Sequence, residues 1–296
     1  MAVHMTRLSR NGTGPAGSWI REERALAWTG VLGLVLAVLC GLWVLIFGAE
    51  RPPDGSMAKA FSFNAALGVF LLSTAAIAPL SGMGPKGRAA FRWTYVVLAL
   101  YSYAAETVQH FRGVNPRFAY GGAVFDQAVS SGFALVALLL VVVYVIFAIP
   151  YFRRKTFERS PETVLGIRYA MAAVMLSFGG GIWISVNGGR FIAEEGNLIW
   201  FHGLGFHALQ ALPILAWLTS KSEAPVYVKL RLNHIAGISF LTGLAAIGWQ
   251  TMLGRPLLEL TALPLAAAAC VAVAAAAGVK ALADAVRETG PHRLQK

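Results

Sequence analysis

Two histidines and a glutamine lie inside a segment that is otherwise apolar enough to cross a membrane. The stretch NLIWFHGLGFHALQALPILAWL, residues 197–218, contains His202, His207 and Gln210. A spacing of five residues places two side chains about 140° apart on a straight helix, so His202 and His207 are a poor chelating pair for one metal ion. His207 and Gln210 are three apart and share a face. The pattern favours acid–base or hydrogen-bonding roles in a polar pocket, with metal or haem ligation and plain helix packing as alternatives.

A second polar stripe lies at the end of another apolar segment, YSYAAETVQHFRGVNPRF. Glu106, Gln109 and His110 recur at helical spacing and therefore share one face, and Arg112 and Asp126 follow them in the chain. Ionisable groups at membrane depth are costly and normally face a protein interior or a wet cavity. We therefore expect a polar site in the outer half of a helix bundle. The alternative is an interhelical hydrogen-bond cluster that only stabilises the bundle.

The chemistry of these side chains suggests their roles. Glu106 and Asp126 are the candidate acids, because burial favours the neutral form of a carboxyl group. His202 and His207 are the candidate hydrogen-bond partners or terminal bases. The remaining candidates would bind and orient a substrate: Gln109, His110, Arg112, Gln210, Trp183, Trp200 and Gln250. Tryptophan is also typical of the interfacial belt of any membrane protein.

A cofactor is not required by the leading interpretation, but haem or a transition metal is an open alternative. Its ligands would come from His110, His202 and His207, with one haem held between His110 and either of the others. His234 enters from the opposite side of the predicted bundle. Cys40 and Cys270 lie deep in apolar runs and are expected to be small core residues rather than metal ligands.

The elements that must position these side chains are membrane helices. Hydrophobic residues make up 57% of the 296-residue chain and charged residues 13%, and the mean hydropathy is +0.61. Because about twenty apolar residues cross the hydrocarbon, the sequence predicts an all-α bundle of about eight transmembrane helices. The predicted spans are 26–48, 62–84, 90–112, 128–151, 163–186, 198–219, 232–253 and 262–283. The predicted domains are a basic tail (1–25), the transmembrane domain (26–284) and a second basic tail (285–296).

The net charge of +11 is best explained by membrane topology. Eight spans place 19 of the 25 lysines and arginines on one side and 6 on the other. The positive-inside rule then puts both termini in the cytoplasm. Nucleic-acid binding is not expected, since no basic domain is present to hold a duplex. A composition rich in Ala, Gly, Leu and Arg suggests a bacterial protein of the inner (cell) membrane.

Three stretches resemble the landmarks of a family of uncharacterised polytopic membrane proteins from actinobacteria and bacilli. They are QHFRGVNPRF with a later FD, WFHGLGFHALQALPILAW, and GWQTMLGRPL, and together they extend from the third span to the seventh. The resemblance singles out seven positions: Gln109, Arg112, Asp126, His202, His207, Gln210 and Gln250. His110 has no counterpart in the family pattern, and Asn197 stands where an acid commonly precedes the first histidine. The resemblance implies positions and no particular reaction.

An acid, imidazoles and amides walled by aromatic rings could protonate a lipid and steer the carbocation that results. In size and equipment the chain resembles the small integral-membrane terpene cyclases, although it shares no motif with them. The leading hypothesis is therefore a membrane enzyme for acid-initiated cyclisation or isomerisation of an isoprenoid or other lipid-like substrate. The alternatives are a haem- or metal-binding redox protein and a small-molecule transporter or sensor. No inverted repeat is evident to favour transport, and the oligomeric state is left open.

Overall fold

The computed structural model describes residues 21–119 and 122–289, so most of the two predicted tails lies outside the described residues. The described chain contains eight long helices joined by short connections. They are α1 Arg24–Phe47, α2 Met57–Ile77, α3 Pro85–Phe111, α4 Val124–Ala148, α5 Pro161–Val186, α6 Leu198–Lys221, α7 Val226–Met252 and α8 Ala262–Thr289. Two-residue strands form two antiparallel hairpins, β1 Glu50–Arg51 with β2 Gly55–Ser56 and β3 Phe191–Ile192 with β4 Gly196–Asn197. Short helical turns at Ala78–Leu80, Ile149–Phe152 and Arg154–Phe157 complete the elements.

The predicted all-α membrane bundle is confirmed. Within the described residues, every long helix except α3 is long and apolar enough to cross a membrane, which gives seven candidate spans. Helix α3 has 27 residues, or about 40 Å at 1.5 Å per residue, and is therefore long enough as well. Its hydropathy is lowered by charged and polar side chains such as Arg92, Glu106 and Gln109. The chain is a multi-pass membrane protein.

The second half of the bundle repeats the first with an offset of 141 residues. This number separates Pro85 from Val226, where α3 and α7 begin, and Met57 from Leu198, where α2 and α6 begin. The two β-hairpins are related by the same offset. Helices α1–α4 thus correspond to α5–α8. Because four membrane crossings separate each pair of equivalent helices, the two repeats run in the same direction; they are parallel repeats, which the sequence analysis did not find.

A close backbone contact closes one end of each repeat, which we call the outer end because the positive-inside rule predicts that it faces outward. A Cβ atom added to Gly55 would lie 2.4 Å from the backbone oxygen of His110, and one added to Gly196 would lie 2.4 Å from that of Thr251. Both positions therefore require glycine, since the hairpin rests directly on the end of the third helix of its repeat. Backbone hydrogen bonds from the hairpin to Gly113 and to Gly254 complete the contact in each repeat.

An ion pair at the inner end of each repeat joins its first helix to its third. Arg88 Nε lies 3.0 Å from Glu23 Oε1 at the start of α1. The equivalent of Arg88 in the second repeat is Lys229, whose Nζ lies 3.7 Å from Glu162 Oε1 near the start of α5. Each repeat is therefore closed by a hairpin contact at its outer end and by an ion pair at its inner end.

The two repeats pack on each other through α2 against α6 and through α4 against α5. Aromatic rings fill this interface: the rings of Phe70 and Phe206 are 5.2 Å apart, and those of Tyr144 and Phe178 are 5.7 Å apart. The Tyr144 hydroxyl also shares a hydrogen bond of 3.2 Å with Thr74. The seam between the repeats is thus well packed where these rings meet.

Candidate functional site

The polar stripe of α3 forms a buried charged cluster with the loop that follows it. Glu106 is fully buried, with Oε2 3.3 Å from His110 Nε2 and Oε1 2.5 Å from an Nη atom of Arg117. These are ion-pair contacts rather than aligned hydrogen bonds. The Ser56 backbone N–H donates to His110 Nδ1 over 3.1 Å, so that nitrogen is an acceptor and the ring proton is on Nε2, facing the carboxylate. The cluster holds a carboxylate between an imidazole and a guanidinium.

A second cluster, formed by Gln109, Arg112 and Asp126, links α3 to α4. Gln109 Nε2 donates to Asp126 Oδ1 over 2.9 Å, and Arg112 Nη1 donates to the same oxygen over 2.6 Å. Arg112 Nη1 also donates to Gln109 Oε1. Asp126 lies in the first turn of α4, where the helix dipole favours a negative charge. The guanidinium, the amide and the carboxylate therefore complement one another.

His202 joins α6 to α5. Its Nδ1 lies 2.7 Å from the backbone oxygen of Ser177, so this nitrogen carries the proton and Nε2 is left as an acceptor. The ring fits there because residue 181 is glycine: a Cβ atom on Gly181 would lie 2.7 Å from His202 Cε1. His202 therefore links two helices of the second repeat.

His207 and Gln210 begin a hydrogen-bond chain that crosses from one repeat to the other. His207 Nδ1 lies 3.1 Å from Gln210 Oε1, and Gln210 Nε2 donates to Ser73 Oγ on α2 over 2.8 Å. Ser73 in turn donates to the backbone oxygen of Val69 over 2.8 Å. Gln210 Oε1 can only accept a hydrogen bond, so His207 must carry its proton on Nδ1. Its Nε2 is then left as an acceptor. The side chain of His207 is exposed on the surface of the protein.

This hydrogen-bond chain lies near the middle of the bundle. His207 is nine residues from the outer end of α6, about 14 Å along the axis, and Gln210 is about 18 Å along it. Helix α6 itself has 24 residues, about 36 Å. A titratable group near the middle of a membrane is a functional-site candidate.

Helices α2 and α6 separate from each other on the outer side of this contact. Ala66 and Gly203 lie seven residues before Ser73 and Gln210, so they fall on the same helix faces two turns closer to the outside. Ala66 is nevertheless exposed, and a Cβ atom on Gly203 would meet nothing within 4 Å. We call this opening the α2–α6 groove; it is defined by Ser62, Ala66, Gly203 and His207.

Of the remaining sequence-predicted residues, Trp200 precedes Gly203 by three residues and shares its face of α6, whereas Trp183 and Gln250 lie on α5 and α7. Trp183 and Trp200 are 38% and 52% exposed and lie near the outer ends of α5 and α6. Gln250 lies near the outer end of α7 and is 1% exposed, with its amide nitrogen 2.7 Å from Glu259 Oε2. The predicted site residues therefore fall into separate clusters along the outer half of the bundle.

The haem alternative meets an obstacle at His110. One of its ring nitrogens accepts the Ser56 N–H and the other faces Glu106, so a metal would have to displace one of them. His234 is bonded to Tyr169 through Nδ1, with 2.8 Å between the two atoms. Within residues 21–119 and 122–289 there is no group of three or more His, Cys, Asp or Glu side chains able to hold a metal ion. Ligation by His202 or His207 stays a prediction.

Sequence reasoning missed the partners of the predicted residues. Ser73 and Ser177 lie in apolar spans and belong to no polar stripe at helical spacing, and Glu259 lies in a loop, so periodicity alone does not indicate a role for them. The contacts depend on which helices become neighbours. Only the distance of 141 residues between the two Q-x-x-x-G stretches, beginning at Gln109 and at Gln250, could have indicated the repeat.

Comparison of the chain with family models, with curated proteins and with solved structures finds no match. The resemblance to polytopic membrane proteins of actinobacteria and bacilli therefore stays a prediction.

Proposed function

We propose that this protein is a proton-coupled membrane transporter for a small polar solute, with its pathway along the α2–α6 groove. The observation that carries the proposal is the hydrogen-bond chain from His207 through Gln210 to Ser73. It joins the two repeats near the middle of the bundle and ends in an imidazole nitrogen that is free to accept a proton.

The parallel repeat supports a transport function. Many transporters consist of two structural repeats and bind their substrates near the midplane, where the repeats meet, so that one repeat can move against the other. Here the equivalent elements begin 141 residues apart, and the seam between α2 and α6 carries the polar chain. The link through Ser73 is a single neutral hydrogen bond. Such a bond contributes only about 0.5–1.5 kcal/mol and can be exchanged when the halves move.

Proton coupling is supported by the environment of His207. Histidine is the side chain whose unperturbed titration falls nearest to physiological pH. A proton on Nε2 would leave the Nδ1 bond to Gln210 in place, since Nδ1 is already the donor. The imidazole ring can therefore gain and lose a proton without breaking its hydrogen bond to Gln210.

Acid-initiated cyclisation of a lipid receives less support from this geometry. It requires a carboxyl group that stays protonated, yet Glu106 is paired with Arg117 and Asp126 with Arg112. A neighbouring guanidinium favours the charged carboxylate. The cyclase interpretation stays a prediction, and it would require a proton donor other than Glu106 or Asp126.

Cysteine accessibility tests whether the groove holds water. In a background where Cys40 and Cys270 are replaced by alanine, Gly203→Cys and Ala66→Cys should react with a charged, membrane-impermeant methanethiosulfonate reagent added to intact cells. The matched control is Leu135→Cys on α4, which is 58% exposed and should face lipid; it lies about 16 Å from the outer end of its helix, close to the depth of Ala66, about 14 Å. It should not react with the charged reagent.

The same experiment separates transport from lipid chemistry. If Gly203→Cys and Ala66→Cys react only with a lipid-soluble maleimide, as Leu135→Cys should, the groove opens to lipid and transport of a polar solute is refuted. Failure of both positions to react with either reagent would also exclude a pathway there.

Proton coupling is tested in liposomes that contain the purified protein and an internal pH-sensitive dye. A panel of amino acids, sugars and small organic amines is added outside, and an active solute should change the internal pH. His207→Asn keeps an N–H donor for Gln210 but cannot titrate, so it should abolish the pH change while solute exchange across equal concentrations continues. Unchanged proton movement in His207→Asn would refute the role of His207.

A further inference from the structure

We propose that Gln250 and Glu259 form a binding site for a small cation with N–H donors, such as a guanidinium or ammonium group. The site would lie at the outer end of the second repeat. It occupies the place that the chain's own Arg112 guanidinium fills in the first repeat. This inference is independent of the transport proposal.

The two places are equivalent in the repeat. Gln250 and Leu253 follow Gln109 and Arg112 by 141 residues. Arg112 and Leu253 each end the third helix of their repeat with nearly the same backbone angles, φ −75° and ψ −2° against φ −74° and ψ 0°. A side chain at residue 253 therefore leaves the helix in the same direction as that of Arg112.

In the first repeat the guanidinium completes the site. Arg112 Nη1 donates to both Gln109 Oε1 and Asp126 Oδ1, while Gln109 Nε2 donates to the same Asp126 oxygen. The amide oxygen and the carboxylate thus share one cationic donor. The Arg112 side chain is 42% exposed, so the site reaches the outer surface.

In the second repeat the amide and the carboxylate are present, but no lysine or arginine among the described residues forms an ion pair with Glu259. Gln250 Nε2 donates to Glu259 Oε2 over 2.7 Å and to the backbone oxygen of Pro256 over 3.0 Å, which fixes the orientation of the amide. Gln250 is 1% exposed, and its Oε1 is buried without a hydrogen-bond partner. The residue that would provide the donor is Leu253. A buried carbonyl oxygen beside a carboxylate is thus left without the donor that its counterpart has.

The chemistry of the two acceptors selects the ligand class. An amide oxygen and a carboxylate oxygen both accept N–H donors, and the charge of Glu259 disfavours anions. Divalent metals need more oxygen ligands than this pair offers. Glu259 is only partly buried. Gln250 Oε1 is buried, so a small cation reaches it from the outer aqueous side when the Leu253 side chain, which is 51% exposed, moves aside.

Thermal stability of the purified full-length protein provides the test. Millimolar guanidinium chloride should raise the melting temperature in a saturable manner, relative to tetramethylammonium chloride at equal ionic strength, which has no N–H donors. Ammonium chloride should act in the same direction. A rise with sodium chloride alone, and none with guanidinium or ammonium, would overturn the N–H donor assignment.

A substitution that builds the guanidinium into the chain is the decisive variant. Leu253→Arg should raise the melting temperature without ligand and abolish the response to guanidinium. The matched control is Leu258→Arg, at a position 88% exposed, which should keep the wild-type response. Glu259→Gln should raise the guanidinium concentration that gives the half-maximal response at least tenfold.

Three outcomes would overturn the inference. One is the absence of a saturable response to guanidinium or ammonium in the wild-type protein. Another is a response that survives unchanged in Leu253→Arg and Glu259→Gln. The third is a response that appears only in Arg255→Ala, which would identify the neighbouring Arg255 as the cation that fills the site.

Discussion

The Glu106–Arg117 ion pair should stabilise the first repeat far more than an exposed pair does, and Arg117→Met tests this. The substitution keeps a side chain of similar length but removes the guanidinium, whose Cζ also lies 5.5 and 5.8 Å from the ring centroids of Phe63 and Phe133. It leaves the Glu106 carboxylate fully buried, with only His110 beside it. The variant therefore measures the cost of an uncompensated buried charge together with the loss of the two cation–π contacts.

The magnitude follows from the burial of the two partners. Removing one partner of a buried pair costs about 3–5 kcal/mol, and we take the lower end because the Arg117 side chain is 37% exposed. Glu106→Gln should cost less, about 1 kcal/mol, because the half-exposed guanidinium that remains can be hydrated. The double variant, which leaves no unpaired charge, should be more stable than Arg117→Met alone.

Thermal unfolding of the four proteins in detergent measures the coupling. At about 2–4 °C per kcal/mol, Arg117→Met should lower the melting temperature by about 6–12 °C. The matched control is Arg154→Met, which breaks a pair whose side chains are 92% and 59% exposed and should cost less than about 1 kcal/mol. Equal losses in Arg117→Met and Arg154→Met, or a double variant less stable than Arg117→Met, would refute the reasoning.

Three further predictions concern the fold and the cofactor. Gly196→Ala should destabilise the protein by about 2–3 kcal/mol because its Cβ would lie 2.4 Å from a backbone oxygen. Gly188→Ala, at φ +64° in open space, should cost only about 1 kcal/mol. Melting curves of the two variants measure the difference. Tyr151→Phe should cost about 1–2 kcal/mol, since it removes the hydroxyl that donates to the Ile77 carbonyl over 2.8 Å; thermal unfolding measures the loss. Because both ring nitrogens of His110 are engaged, an absorption spectrum of purified His110→Ala should match that of the wild type, and a Soret band lost in this variant would contradict the assignment.

Span positions and the buried faces of helices could be predicted from the sequence because each depends on one helix at a time. The predicted span 198–219 agrees with α6, since bilayer thickness sets the length of an apolar run. The stripe of Glu106, Gln109 and His110 was predicted from helical spacing, and all three are at most 1% exposed. A helical period indicates which side of a helix is polar and must be covered.

The partners of these residues could not be predicted, because they come from other helices. Gln210 bonds to Ser73, 137 residues away, and no pattern within either span specifies that α2 and α6 are neighbours. Arg117 reaches Glu106 from a loop, whose path depends on how α3 and α4 are joined. Helical periodicity does not determine the contacts between helices.

The two repeats share a backbone plan but differ in how their polar groups are compensated. Glu106, His110 and Arg112 of the first repeat are replaced by Ile247, Thr251 and Leu253 in the second. The first repeat therefore pairs its charges internally, while the second leaves acceptor atoms on His207 and Gln250.

This difference separates stability from ligand binding. Internally paired charges rigidify the repeat that carries them, whereas an unpaired acceptor can change its partner during a reaction cycle. Substitution of Arg117 should therefore lower stability with solute exchange retained in the folded fraction, while His207→Asn should change proton coupling with stability retained. If both variants instead lost stability and transport together, the two repeats would not divide these roles.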